Sequence, residues 1–382
     1  MIKLTPFQWS SFQFFGFYCA YGVLLPFFPI WLNHHGYNAE LIGLIIALGY
    51  IFRFIGAMLF SQRVSHFQFI PISRILTWLT ILILVIMMWG VENSWILLPT
   101  IALFHIFNGG AMPLIDAISS TWQKQIGLDY GKTRLFGSLA FVVGSVSTGY
   151  LIGWFGEASV ILIITGWLVF LGIGTTLNPS QTFSSSAKSE LTNTVSYWQL
   201  FKQPTTLKMM IAISLIQSSH AAYYAYSTIY WKDAGTSTQE ASLLWGVAVC
   251  AEIFFFFIAN RMFKMWKLHS LFLVCAVGTI IRWVMLSSTS DFKLLVIIQL
   301  LHAISYGMGH YAMIRYIATQ LAEHIAKLQA LYFGSASCVF MALFTFLSGL
   351  IYPHFPEASF WLMAIVVVPA IFIVPKQIMT KF

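Results

Sequence analysis

Charge is what this sequence lacks most by the standard of a soluble protein. Only 8% of its 382 residues are Asp, Glu, Lys or Arg, against 59% hydrophobic residues and a mean hydropathy of +0.80. A soluble domain carries about a quarter charged residues, so this chain cannot cover itself in water, and its solvent is largely lipid. Cysteine is scarcer still, with four residues. Cys19, Cys250, Cys275 and Cys338 all lie inside apolar runs, which argues against a disulfide framework or a metal site. Also missing are the ATP-binding Gly-x4-Gly-Lys-Ser/Thr loop, a His-Glu-x-x-His pair and a Gly-x-Ser-x-Gly elbow. Neither ATP-driven work, nor an enzyme, nor a bound cofactor is expected. The net charge of +8 sits in short loops rather than in a patch, so nucleic acid is not an expected partner.

Long apolar runs fill the rest. A spanning helix needs roughly 20 apolar residues, so the length allows about ten to thirteen crossings and no large domain outside the membrane. Twelve runs stand out, at 9–32, 40–61, 71–91, 95–118, 133–155, 157–178, 207–231, 240–260, 268–288, 292–315, 329–351 and 358–375. The first outlasts a signal-peptide core and has no small-residue cleavage site after it, so it is expected to stay as a span. The run near Phe67–Trp89 is interrupted by Pro71 and Arg74, and its start is the least defined.

Basic residues give the orientation. With the N-terminus inside, sixteen of the twenty Lys and Arg residues fall in cytoplasmic loops, Lys232 and Lys293 fall outside, and Arg53 and Arg282 lie within spans. That asymmetry predicts cytoplasmic N- and C-termini and an even number of spans. Residues 179–206, rich in Ser and Thr, are the one long polar stretch and suit a flexible cytoplasmic linker. The expected organisation is therefore a six-helix bundle over 1–178, the linker, and a second six-helix bundle over 207–382. A weak repeat agrees: Trp31, Gly36 and Glu40 after the first span are echoed by Trp231, Gly235 and Glu240 after the seventh. Parallel halves of this kind are a transporter architecture.

An ionised side chain at mid-bilayer costs at least ~2.5–3.5 kcal/mol, so each one wants a partner or a wet cavity. Asp116 ends span four and Arg134 opens span five. A turn near Gln125 would leave them equally far from it and at one depth. His105, Asn108 and Asp116 fall within about 80° of arc on span four, which implies a cavity-facing stripe. The plain alternative is a structural salt bridge. Glu252 lies in the middle of span eight, with Arg282 on span nine and His302 and His310 on span ten. A desolvated carboxyl among such neighbours can load and release a proton, although a structural hydrogen bond is the bland reading. Arg53 is placed to snorkel toward the cytoplasmic headgroups. On span seven Gln217, His220 and Tyr224 share a face, and with Tyr223 they offer rings and polar tips to an aromatic or sugar-like ligand. Tyr230 and Trp231 suit the outer aromatic belt.

The run from Trp122 to Ser138, WQKQIGLDYGKTRLFGS, resembles a signature of the oligosaccharide and nucleoside proton symporters, the lactose-permease-like branch of the major facilitator superfamily. Similarity continues in His220-Ala-Ala-Tyr-Tyr224, Ile229-Tyr-Trp231, Ala251-Glu252, Leu301-His302 and Met313-Ile-Arg-Tyr-Ile317. The resemblance implies an all-α membrane protein of twelve transmembrane helices in two six-helix bundles. It also implies a monomer in a bacterial inner membrane whose halves rock around a midplane site. It assigns substrate contact to Asp116 and Arg134, and substrate–proton coupling to Glu252, Arg282 and His302. Two positions depart from the family pattern. The glutamate one turn after the span-ten histidine is matched by Ser305, and the acidic loop motif after span two is degraded between Gly56 and Arg63. The first departure leaves Glu252, His302 or His310 to carry the proton. The function expected is proton-driven import of an aromatic monocarboxylate such as 3-phenylpropionate, its carboxylate on Arg134 and its ring against the span-seven tyrosines. A sugar or nucleoside is the alternative substrate. The partners are thus a small molecule, protons and the bilayer.

Overall fold

The computed structural model describes residues 3–62, 68–183 and 196–377. Residues 184–195 of the expected linker and Arg63 lie outside them. Helix α1 (Pro6–His34) starts where its sequence provides a full cap. Thr5 Oγ1 accepts from the Gln8 N–H and Gln8 Oε1 from the Thr5 N–H, at 3.2 and 3.0 Å, with Pro6 in the first turn where its missing N–H is harmless. Helices α2 (Ala39–Gln62), α3 (Phe69–Trp89) and α4 (Ser94–Ile126) follow. Pro71 is tolerated in the first turn of α3 for the same reason as Pro6.

The α4 helix stops at Gly127, whose φ of 70° only glycine adopts without strain. Next comes α5 (Tyr130–Phe155), capped by Asp129 Oδ1 accepting from the Lys132 N–H at 3.1 Å. That bond and the Lys132 side chain hold the Asp129 carboxyl below the ordinary carboxylate range. The turn therefore occupies 127–129 rather than Gln125. Arg134 sits barely a turn into α5 while Asp116 is nearly three turns from the end of α4. Helix α6 (Val160–Thr175) completes the first six, and the parallel strand pair β1 (Lys3–Leu4) and β2 (Asn178–Pro179) ties the chain's start to the end of α6.

After a short α7 (Tyr197–Phe201), span seven is broken into α8 (Pro204–Ser218) and α9 (Ala221–Asp233). The hydroxyls at the break turn back on the ladder: Ser218 Oγ donates to the Ser214 carbonyl and Ser219 Oγ to the Ile216 carbonyl. Such back-bonding competes with backbone hydrogen bonds and bends helices. It explains why eleven helices, not twelve, are long and apolar enough to cross a membrane among the described residues. The pair α8–α9 occupies the remaining run.

Helices α10 (Thr238–Phe263) and α11 (Leu268–Leu286) are continuous. Span ten runs as α12 (Phe292–Leu300), a π-helical segment Ala303–Met308 and α13 (Gly309–Ala318). The next is built alike, from α14 (Ala322–Gly334), a π-helical Ser335–Val339 and α15 (Phe340–Ile351), before α16 (Pro356–Ile373). Short π-helical stretches inside α-helices are rare and concentrate at functional sites.

Two compact units emerge. One comprises Met1–Tyr37, Leu48–Lys188 and Ser237–Gly246, the other Asn38–Ala47, Ser189–Thr236 and Val247–Phe382. In the first, α1 packs along α5 and α6, and α3 along α4 and α6. Gly22 lies against the Phe141 backbone and Gly144 against that of Cys19, so any side chain at either glycine would force α1 and α5 apart. In the second, α16 packs between α8 and α11 around Met209, Ile213, Phe272 and Val367. Large apolar side chains also cover the outside: Phe257 and Phe372 are 87% and 80% exposed. A water-facing surface does not carry these at such density, and lipid does. The multi-pass membrane protein expected from composition is what folds.

Tyr230 and Trp231 depart from expectation. They are 8% and 0% exposed, packed on Phe360 and Tyr223, and so are core residues rather than an interfacial belt.

Candidate functional site

In the first unit the site is built on α1, α4 and α5. Arg134 Nε lies 4.0 Å from Asp116 Oδ1, both side chains about a third exposed. The uneven distance of the two from the turn is made up by the long reach of arginine and by Tyr130, whose hydroxyl donates to Asp116 Oδ1 at 2.9 Å. Arg134 Nη2 donates to Tyr18 Oη, and its guanidinium lies 4.5 Å from the Tyr18 ring centre and 5.4 Å from that of Phe14. An acid, an arginine and two phenols thus form one cluster, suited to a polar or anionic group beside an aromatic wall. Tyr18 and Tyr130 were not singled out from sequence. The signal for Tyr18 was its spacing of three from Tyr21, which places both rings on one helix face.

Arg53 does not snorkel. Its Nη1 donates to Tyr21 Oη at 2.9 Å and its guanidinium stands 5.0 Å from that ring. Tyr21 lies at the midpoint of α1, so a phenol ring and hydroxyl retain the arginine deep in the unit. His105 packs onto Gly49, one turn before Arg53.

The second unit gathers its polar groups around Arg282, which is 0% exposed. Arg282 Nη1 reaches His302 Nδ1 at 2.9 Å and Ser305 Oγ at 3.0 Å, while Nη2 donates to Gln299 Oε1 at 2.8 Å. Arginine only donates, so His302 Nδ1 must be the acceptor and the ring proton sits on Nε2. That nitrogen lies 3.3 Å from Glu252 Oε2. His220 Nδ1 donates to the Gln217 carbonyl at 3.0 Å, and its Nε2 lies 3.3 Å from Ser305 Oγ. Glu252 is the acid at the end of the line Arg282–His302–Glu252.

Tyr223, also 0% exposed, donates to Gln299 Oε1 at 3.0 Å and has Arg282 4.7 Å from its ring centre. Tyr224 touches His220 and Tyr223 at 5.7 Å between rings. His220, Tyr223 and Tyr224, expected as substrate contacts, pack around Arg282. His310 is reached indirectly, through the ring stack His302–Tyr306–His310, and faces Tyr332 Oη at 3.0 Å. Gln299 and Tyr332 escaped the sequence reading, though Gln299 precedes His302 by three residues and so shares its face. Ser305, noted only as a missing acid, bridges Arg282 and His220 instead.

Elsewhere in the first unit, Trp31, His35, Met88, Leu151, Phe155 and Leu162 line a cavity of about 620 Å³. It lies at the far end of α1 and includes none of the residues above. Among the described residues no His, Cys, Asp and Glu cluster could hold a metal ion.

Comparison with known proteins agrees with this architecture. Residues 7–363 match the model of the MFS_1 like family. A protein of Escherichia coli (strain K12) named "probable 3-phenylpropionic acid transporter" is 34% identical over 97% of this chain and 98% of its own length. The crystal structure of the nucleoside transporter NupG superposes with a TM-score of 0.82 at 12% identity, covering 98% of this chain and 100% of that one. That of a D-xylose–proton symporter gives 0.71 at 14%, covering 98% and 97%. At those identities the two structures speak for the fold alone. The family match and the long relative speak for more: this chain belongs to the MFS_1-like family and is a multi-pass membrane transporter of the major facilitator fold, not an enzyme.

Proposed function

We propose that the protein is a proton-coupled symporter that imports a small organic anion across the bacterial inner membrane, an aromatic monocarboxylate such as 3-phenylpropionate being the substrate class that fits best. The observation that carries this reading is the line Arg282–His302–Glu252, at 2.9 and 3.3 Å. Protonating Glu252 removes the negative end of that line, so the hold on Arg282 depends on the proton. A fixed cation whose partner comes and goes with a proton is the element that symport requires. Asp116 and Arg134 serve as substrate contacts, where the guanidinium offers a planar fork to a carboxylate and Tyr18 and Phe14 offer ring faces. His220, Tyr223 and Gln299 orient Arg282. The name of the 34% identical relative supports the same substrate.

A sugar or nucleoside symporter is the second reading, favoured by the acid–arginine pair, which also suits hydroxyl groups. Uptake of labelled 3-phenylpropionate, lactose and uridine by cells producing the protein separates the two. Saturable uptake of the carboxylate alone is expected; saturable uptake of lactose or uridine alone would install the second reading.

We also infer that both termini and the 179–206 segment are cytoplasmic, since sixteen of twenty basic residues then face inward. Alkaline phosphatase fused after Ser185 or Phe382 should be inactive, and activity at either place would reverse the orientation.

A further inference from the structure

We propose that Arg53 is a second anion-recognising arm of the first unit's site and sets its selectivity for negatively charged over neutral substrates. The inference rests on the reading of Asp116 and Arg134 as substrate contacts. An acid and an arginine together are electrically neutral, which suits a sugar as well as an anion. The structure adds another cation to the same wall. Tyr18 and Tyr21 stand one turn apart on α1 with ring centres 6.1 Å from each other. Arg134 lies 4.5 Å from the first ring and Arg53 5.0 Å from the second. Two guanidiniums thus stand against this pair of rings, with the Asp116 carboxylate beside Arg134.

The backbone shows that Arg53 is held there. A side chain on Gly109 would collide with the Arg53 carbonyl, and one on Gly56 with that of Ile106, so α2 and α4 cross in direct backbone contact at this level. Gly109 and Asp116 are seven residues apart, two turns on one face of α4, or about 10 Å along the axis. Arg53 is therefore anchored within two turns of the acid–arginine pair and aimed at the same tyrosines. Tyr21 Oη takes its Nη1 at 2.9 Å and fixes the fork, while the side chain remains partly exposed. An arginine kept in low dielectric strongly favours an anion that shares its surroundings. Two guanidiniums beside ring faces are complementary to an aromatic carboxylate and favour it over a neutral sugar.

Binding to purified protein tests this with three probes: 3-phenylpropionate, the aliphatic hexanoate and the neutral 3-phenylpropanamide. In Arg53→Gln the carboxylates are expected to weaken by at least about tenfold, while the weaker amide changes by less than about twofold. Equal weakening of all three would reduce Arg53 to a packing residue, and unchanged carboxylate binding would remove it from the site. Should Arg53→Gln not assemble in the membrane, Arg53→Lys keeps the charge and loses the fork; a loss confined to the carboxylates supports the proposal, and a loss shared with the amide overturns it. Wild-type binding of hexanoate without 3-phenylpropionate, lost in Arg53→Gln, would retire the aromatic reading and keep the arm. A wild-type protein that binds neither carboxylate overturns both.

Discussion

Glu252→Gln is expected to abolish uphill, gradient-driven uptake while leaving substrate binding and equilibrative exchange intact. The amide is close to isosteric with the protonated acid, so it holds the site in one protonation state. Glu252 is the acid nearest the middle of a span in the C-terminal half, since Asp233, Glu240, Asp291, Glu323 and Glu357 lie in loops or terminal helix turns. Ser305, which stands where the resemblance to proton symporters implies a glutamate, cannot titrate and instead bonds Arg282 and His220. His302 is an unsuitable carrier in this arrangement: a second proton on Nδ1 would face the Arg282 guanidinium 2.9 Å away. Accumulation of substrate by the mutant with an unchanged pH profile would make Glu252 structural and move the proton path to His302 or His310. Exchange kinetics are the necessary companion measurement, because a mutant that neither accumulates nor exchanges has lost more than its proton.

The second large effect is expected at Arg134. Arg134→Lys keeps the charge near Asp116, but a point-like ammonium cannot make two parallel hydrogen bonds to a carboxylate or lie flat on Tyr18 and Phe14. Substrate binding should weaken by at least about tenfold, measured directly on purified protein to separate affinity from turnover. Near-normal binding in a mutant that reaches the membrane in wild-type amount would return the Asp116–Arg134 pair to a structural salt bridge. Tyr18→Phe offers an internal comparison. It removes the hydroxyl that receives Arg134 Nη2 and keeps the ring, so its effect should be in the same direction and smaller.

Much of this fold was legible because membranes simplify the problem. Apolar runs of about 20 residues mark spans, and lysine and arginine mark loops. Span seven shows where that rule ends. Its hydropathy reads as one helix, yet hydroxyls at Ser218 and Ser219 break it in two, a local competition that average hydropathy does not register. The site was half legible. Charges in an apolar run announce themselves, so Asp116, Arg134, Glu252, Arg282 and His302 could be named, and the structure brings the first two into one cluster and the last three into another. Uncharged partners carry no such signal. Gln299 reads as one more residue of span ten until its Oε1 is found accepting from both Arg282 and Tyr223. Tyr18 and Tyr21 read as packing in an aromatic-rich span. Span seven's polar face suggests a ligand; that Tyr223 and His220 pack around Arg282 could not be read from it, because which neighbour a helix face meets is a tertiary fact. Arg53 failed for the opposite reason. Snorkelling is the ordinary fate of an arginine in a span, and the crossing at Gly109 and the hydroxyl of Tyr21, which help to retain it inside, are tertiary contacts.

The central claim is that substrate and proton enter together, with Glu252 as the carrier. The most direct measurement is the internal pH of proteoliposomes holding a trapped pH-sensitive dye. Buffers are matched on both sides, the membrane potential is clamped, and a 3-phenylpropionate gradient is the sole driving force. Protein-free vesicles give the background from undissociated acid crossing the lipid. Above that background, wild-type protein should acidify the lumen in step with labelled substrate entry, and Glu252→Gln protein should bring substrate in with no acidification. Wild-type entry of substrate at constant internal pH, or equal acidification by Glu252→Gln, would contradict the account.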